Sequence, residues 1–369
     1  MVVSTSMSVI ANEANQSTKV VIKFIQKISE IEEFKEWDKA EIGKISELHD
    51  FNGELNAYLF ELTKNGNYSG YVVVSAKKTN YPILEFSRGK SPIMVAKEAG
   101  IHADKVYYLG GTIYIFKKEK RYYDLFGREV DFNALQSELK KALSDEKIKK
   151  EFENRTLEAE KIWKAYEGSA NQKFSYYERR IYGVPAFYWD DGCAPTAAAM
   201  VLEYWGYRGY VNINLPDSWY FEPSDLSGNS FDDPVNEHRD LTEELHIEMG
   251  TDNSGATWWY LIDDGINNVL NKRGYSSWAS NRWLPQPSWS EITGEINQSR
   301  PFVLSMWNGG NGSGWTIPYG NHAVTVIGYA IGTNNEKFLL LYDTWDTNVH
   351  YLAFGNWWFV SATWVRPVV

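Results

Sequence analysis

The sequence predicts an α+β protein in two parts: a small α+β domain with an antiparallel sheet, then a larger domain in which one buried helix leads a run of strands. Three observations carry this prediction. Composition breaks near residue 180: beyond it lie 14 of the 16 Trp, but only 8 of the 37 Lys and Arg against 21 of the 48 Asp and Glu. Before the break, apolar and polar residues alternate in short runs separated by Gly and Asn, the pattern of antiparallel strands. After it, Thr196 and Glu203 are the only clearly polar side chains between Cys193 and Trp205. A helix apolar on nearly every side has to be buried. At 369 residues the chain is long enough for two or three cores.

Taken in order, residues 1–14 read as the tail of a secretory signal peptide, with small residues Val9 and Ala11 suiting cleavage after Ala11, although a basic start is missing. Together with a low cysteine content, this points to an exported bacterial protein, secreted or held at the cell surface. Residues 15–125 form the small domain. Residues 20–25 suit either helix or strand, and the mixed charges of 28–48 read as a solvated helix. Residues 53–62 alternate as a strand, 65–67 supply the turn, and 70–76 and 83–87 follow as strands. Residues 106–109 and 112–116 make a further hairpin. Residues 126–180 are a connector: 131–167 lack Pro and Gly and read as a helix over 135–166. The stretch to residue 180 then reads as an exposed loop, with Arg179-Arg180 as a candidate processing site.

Residues 181–369 are the larger domain. After the buried helix come helical segments at 235–249, 263–272 and 291–298, then strands at 301–306, 322–329, 338–343, 349–354 and 357–360. The glycine-rich run 308–314 between the first two strands reads as a flap at the edge of a site.

Several function classes are excluded. The net charge is −11, the larger domain carrying −13, from 8 Lys and Arg against 21 Asp and Glu, and the rest +2, which argues against nucleic acid or anionic membranes as partners. No stretch reaches 18 apolar residues, so no membrane span is expected. A single cysteine rules out an intramolecular disulfide. No cofactor motif is present: no Lys-Ser/Thr follows the 308–314 run. No metal is expected either. His238 and His246 with Glu243 and Glu244 lack the His-Glu-x-x-His spacing and read as an exposed helix face. Asp232-Asp233 and Asp263-Asp264 lack EF-hand spacing. Trp258, Trp259, Trp357 and Trp358 read as core.

The chemistry centres on Cys193. It follows Gly192 and opens the buried helix, and Pro195 suits a first helical turn. The positive end of a helix favours the thiolate. Three segments resemble the papain-like clan, and most closely the C39-like branch of its cysteine peptidases: residues 191–206, residues 321–329 around His322, and residues 341–345 around Asp343. The resemblance implies a papain-like fold, with the nucleophile helix packed on an antiparallel sheet, and a protein or peptide substrate. It further implies that Cys193 attacks, that His322 takes and returns the proton, and that Asp343 orients His322. Those types fit the task, since imidazole titrates in the useful range and a carboxylate fixes its tautomer. Asp346 is the nearest rival of Asp343. His350 is the rival of His322 but lacks its strand context. Papain-like enzymes often carry a Gln about six residues before the cysteine; here Phe187 stands there. A Tyr188 O–H or the Trp189 indole N–H is then the candidate oxyanion donor.

Residues 70–76 with 82–87 resemble the propeptide of streptopain-like cysteine peptidases. That resemblance implies a zymogen whose residues 15–125 inhibit the enzyme from within. The expected function is an exported cysteine endopeptidase. Acyl transfer by the same triad, or an inactive binding protein, are the alternatives.

Overall fold

The computed structural model describes residues 3–125, 127–142, 144, 146–168, 175–214, 237–283, 285–307 and 321–368. The first part contains α1 (Val3–Ile28), β1 (Glu41–His49), β2 (Leu55–Lys64), β3 (Asn67–Ser75), β4 (Ile83–Ser87) and α2 (Pro92–Glu98). It continues with β5 (Lys105–Tyr108), β6 (Tyr114–Lys118) and β7 (Arg121–Tyr123). Helices α3 (Phe132–Ala142) and α4 (Glu146–Glu167) lead to β8 (Tyr177–Arg180). The second part holds α5 (Cys193–Gly206), α6 (Glu237–Glu248), α7 (Ile262–Lys272), β9 (Ala279–Arg282) and α8 (Trp289–Asn297). The last strands are β10 (Phe302–Trp307), β11 (Asn321–Ile331), β12 (Lys337–Tyr342), β13 (His350–Ala353) and β14 (Phe359–Val365).

All of these strands join one sheet, in the order β7-β6-β5-β1-β2-β3-β4-β13-β12-β11-β10-β14-β9, with β8 added to β11. The two parts meet where β4 runs antiparallel to β13, pairing Glu85, Phe86 and Ser87 with Leu352, Tyr351 and His350. Apolar burial fixes that register. Phe86 stacks on Tyr351 with ring centres 4.5 Å apart, and Phe24, Phe34 and Phe338 close around it. A one-residue slip would turn these rings to the opposite face.

Helix α5 lies on the second half of the sheet. Its buried Ala197, Ala198, Val201 and Leu202 share a core with Val303 and Ala323 of the sheet and with Leu241, Leu245, Ile266 and Val269 of α6 and α7. Being covered on both sides explains why its sequence is apolar all round. Thr325 Oγ1 on β11 donates to the Ala197 carbonyl at 2.9 Å, locking the helix against the strand.

Residues 20–25, which suit either helix or strand, are helical, with Val20, Val21, Phe24, Ile25 and Ile28 buried at helical spacing. Three sequence expectations are corrected. Residues 28–48 are not a solvated helix: a short 3-10 turn precedes β1, whose charged side chains lie mostly in solvent while its backbone pairs with β2. The connector holds two helices instead of one. Arg179 and Arg180 sit in β8, paired with Tyr329 and Gly328, and Arg180 also reaches Glu33 at 3.6 Å, so they are not an exposed loop. The reading of 1–14 falls largely on α1, whose side chains before residue 16 lie outside the described residues; so do Asp232-Asp233, the 308–314 run and the side chain of His238. Among the described residues no helix is long and apolar enough to cross a membrane.

Candidate active site

Cys193 is the first residue of α5, and the chain enters it through an unusual turn. Asp191 has φ 53° and Gly192 φ 128°, both left-handed. Thr196 Oγ1, one turn into the helix, donates toward the Asp190 and Gly192 carbonyls at 2.6 and 2.7 Å and accepts from Asp190 N–H. His246 on α6 donates from Nδ1 to the Asp191 carbonyl at 2.6 Å. These bonds hold the thiol at the helix start. A Cβ on Gly192 would lie 2.9 Å from the Gly255 carbonyl, in a backbone region that other residues avoid. Gly192→Ala is therefore expected to cost about 1–3 kcal/mol, from strain of this kind. Urea denaturation checks the cost, and slower alkylation of Cys193 checks that the thiol has moved.

On the sheet side, Ala323 N–H points at Cys193 Sγ at 3.4 Å. The thiol thus lies against the residue that follows His322. The His322 ring is buried, stacked on Trp345 (5.4 Å, 21°), with Nε2 2.8 Å from the backbone carbonyl of Asp343. A carbonyl only accepts, so Nε2 carries the proton and Nδ1 the lone pair. The carboxylate of Asp343, expected to meet His322, turns elsewhere. Its Oδ1 accepts from Trp345 N–H at 3.0 Å, and its Oδ2 lies 3.2 Å from His350 Nδ1. Between Asp343 and Trp345, Thr344 is forced to φ 68°. That strain makes the turn that aims the Asp343 carbonyl at His322.

Burial dominates the electrostatics. It pushes the Cys193 thiol up, against the pull of the Ala323 N–H, the Arg128 charge and the helix-start N–H groups. It pushes His322 down to about 4; the Asp343 carbonyl opposes this, while Arg128 and His350 add to it. The resting pair is therefore neutral thiol and neutral imidazole. Arg128, from the first part of the chain, stands over the Trp189 ring (5.6 Å) and donates to the Ser254 carbonyl.

The oxyanion candidates are not brought to the thiol by any contact seen here. Tyr188 is exposed, and the backbone N–H of Trp189 donates to the Thr344 carbonyl at 2.8 Å. His246 and Glu244 do not form an exposed face: Glu244 is buried in an ion pair with Arg273. Asp263 accepts from Asn281 N–H at 3.0 Å. Trp357 is buried, whereas Trp358 is half-buried against Phe51 and Phe152.

Asp346 and His350, the two rivals, belong to one buried ionic cluster with Asp343. His350 Nε2 faces Asp346 Oδ1 at 3.1 Å. Burial opposes its charge, yet Asp343, Asp346 and Glu85 hold His350 at about 9. Asp343 is pushed up to about 7, by burial first and by Asp346 and Glu85. Burial works against ionised Asp346 as well, but His350 brings it down to about 2. With both imidazole nitrogens facing acceptors, His350 offers no lone pair to a cation.

The mixed α+β architecture, with a large and mostly antiparallel sheet, is compatible with a papain-like fold. Residues 172–362 match the Peptidase_C39 like family, and the chain belongs to that family. The match takes in α5, β11 and the Asp343 turn. No curated protein matches the sequence. Family membership makes the protein a cysteine peptidase with a protein substrate.

Proposed function

We propose that the protein is an exported cysteine endopeptidase made as a zymogen, with Cys193 as nucleophile, His322 as general base and acid, and Asp343 as the group that orients His322. The observation that carries this is the 3.4 Å contact of Ala323 N–H, from the residue that follows His322, with Cys193 Sγ. In the reaction, the Cys193 proton passes to His322 Nδ1 as Sγ attacks the scissile carbonyl. The bond to the Asp343 carbonyl keeps the ring in the tautomer that leaves Nδ1 able to accept. The imidazolium then returns its proton to the leaving amine, and water releases the acyl group from sulfur. Backbone N–H at the start of α5 supplies one oxyanion donor; Tyr188 and Trp189 remain the candidates for a second.

The first part of the chain acts as the inhibitor, as the streptopain-type resemblance implies. Arg128 lies in residues 126–180 and donates to the Ser254 carbonyl beside Gly255, which packs against Gly192. Its positive charge holds down protonation of His322. Cutting residues 126–180 frees this arm, admits water, and lets the neutral pair become thiolate and imidazolium. Arg179-Arg180, held in β8, is a poor place for that cut.

The test is incubation of the purified chain with casein, read by mass spectrometry with and without iodoacetamide. Casein fragments that appear only after the chain is cut within 126–180, and that iodoacetamide suppresses, support the proposal. Casein that stays intact beside a processed chain sinks it.

A further inference from the structure

His350 has no place in the reaction above, yet it is fully buried and both of its nitrogens are engaged. Nε2 faces the Asp346 carboxylate, and Nδ1 lies 3.0 Å from Tyr71 Oη and 3.2 Å from Asp343 Oδ2. Tyr71 has one proton, directed at Glu85 Oε1 at 2.5 Å. The other Glu85 oxygen accepts from Tyr114 at 3.0 Å and Tyr108 at 3.3 Å. Tyr71 oxygen must then accept, so His350 Nδ1 donates. Nε2, facing a carboxylate, donates too. With Glu85 and Asp346 ionised, this hydrogen-bond pattern fits an imidazolium. Tyr71 and Glu85 come from β3 and β4, across the seam, and the backbone N–H of Lys90 reaches across it to Asp346 Oδ2 at 3.1 Å.

We propose that His350, fixed from the first part of the chain by Tyr71 and Glu85, is a positioning residue that holds the Asp343 carbonyl on His322. The inference rests on the Cys193–His322 pair proposed above. The link is the strained turn. The Asp343 carboxylate is its peg, with Oδ1 on Trp345 N–H and Oδ2 on His350. Among the described residues Oδ2 accepts no hydrogen bond, so His350 holds it by charge alone, at 3.2 Å. With His350 displaced, the left-handed Thr344 relaxes, the carbonyl leaves Nε2–H, and His322 loses its fixed tautomer. The first part of the chain then has two opposite roles: Arg128 restrains the site, and Tyr71 and Glu85 complete it.

The experiment uses the protein cut within 126–180 by an added protease, with both pieces kept together, and follows iodoacetamide alkylation of Cys193 from pH 4 to 10. It compares the wild type with Tyr71→Phe, His350→Gln and, as a control, Ser87→Ala. Ser87 lies in the same seam; its hydroxyl donates across it to the Val349 backbone carbonyl and accepts from Gly89 N–H, and so bonds backbone and not the His350 ring. Tyr71→Phe and His350→Gln are expected to lower the rate below neutral pH by about 10- to 100-fold, the order of loss on removing the outer hydrogen-bond partner of a metal-bound histidine. Their profiles should approach that of a simple thiol, while Ser87→Ala keeps the wild-type profile. Wild-type profiles in Tyr71→Phe and His350→Gln, at a reactive thiol, overturn the inference and leave the Cys–His pair standing. An equal loss in Ser87→Ala also overturns it, because any loosening of the seam would then suffice. An inert wild-type thiol overturns the pair and the inference together. If His350→Gln does not fold, Tyr71→Phe, which deletes one oxygen, decides alone.

Discussion

Substituting Cys193 by alanine is expected to abolish both self-processing and casein cleavage while the fold survives. The loss of rate should be about a millionfold, as when the nucleophile is removed from a comparable triad. The fold survives because the side chain loses a single sulfur atom. The helix is held by its apolar faces, to which Cys193 adds only a partly buried edge, and by the hydrogen bonds of Thr325 and Thr196. His322→Ala should lower kcat/KM by about 100- to 10,000-fold, the usual worth of a positioned general base. Circular dichroism checks the fold, and peptide hydrolysis checks the rate. Cleavage of casein by purified Cys193→Ala would place the chemistry elsewhere.

The second large effect is on stability against acid. His322 titrates at about 4 in the folded chain against 6.5 for a free imidazole. Between these values the unfolded chain binds a proton that the native state refuses, so this residue lowers stability as pH falls from 6.5 to 4. The full effect is about 3 kcal/mol at 1.36 kcal/mol per unit of displacement. Asp343, raised from 3.8 to about 7, works in the opposite sense. Its native form keeps a proton that the unfolded chain has lost, so its contribution falls as pH rises through that range. The two slopes oppose each other in the wild type, and only a comparison separates them. Relative to wild type, His322→Ala should gain about 3 kcal/mol between pH 7.5 and pH 4 in urea denaturation. A parallel pair of curves would refute the buried neutral imidazole. His350 is the reverse case: held at about 9, it contributes stability that is full below 6.5 and lost as pH rises through 9.

What the sequence made legible follows from how local each signal is. Helix α5 could be read almost to the residue, because apolar positions on every face admit one explanation. The strands that became β10 to β12 were legible for the same reason, as buried runs bounded by turns. Strand β1 was not. Its residues, Glu41–His49, expose charges in the manner of a solvated helix, and only the distant β2 makes them a strand. Strand β8 was likewise hidden, since its partner β11 lies some 150 residues away. At the site, the sequence supplied the residues but not the directions of their atoms. Asp343 meets His322 through its backbone, and no side-chain rule reports which atom of a residue turns inward. His350 looked idle because its partner Tyr71 lies 279 residues earlier. His246 and Thr196 carried no motif, and their work is to tie down carbonyls of a turn whose shape the sequence does not state.

The β4–β13 pairing sets how the processed protein should behave in solution. A cut within 126–180 severs a peptide bond but leaves a hydrogen-bonded ladder and a stacked aromatic seam intact. The product is a two-chain complex, and its integrity becomes a matter of mass action. An enzyme whose inhibitor simply departs grows more active on dilution. A site that still borrows Tyr71 and Glu85 from the severed half should instead fade on dilution, as the halves separate and β13 is left as a bare edge open to pairing with any extended chain.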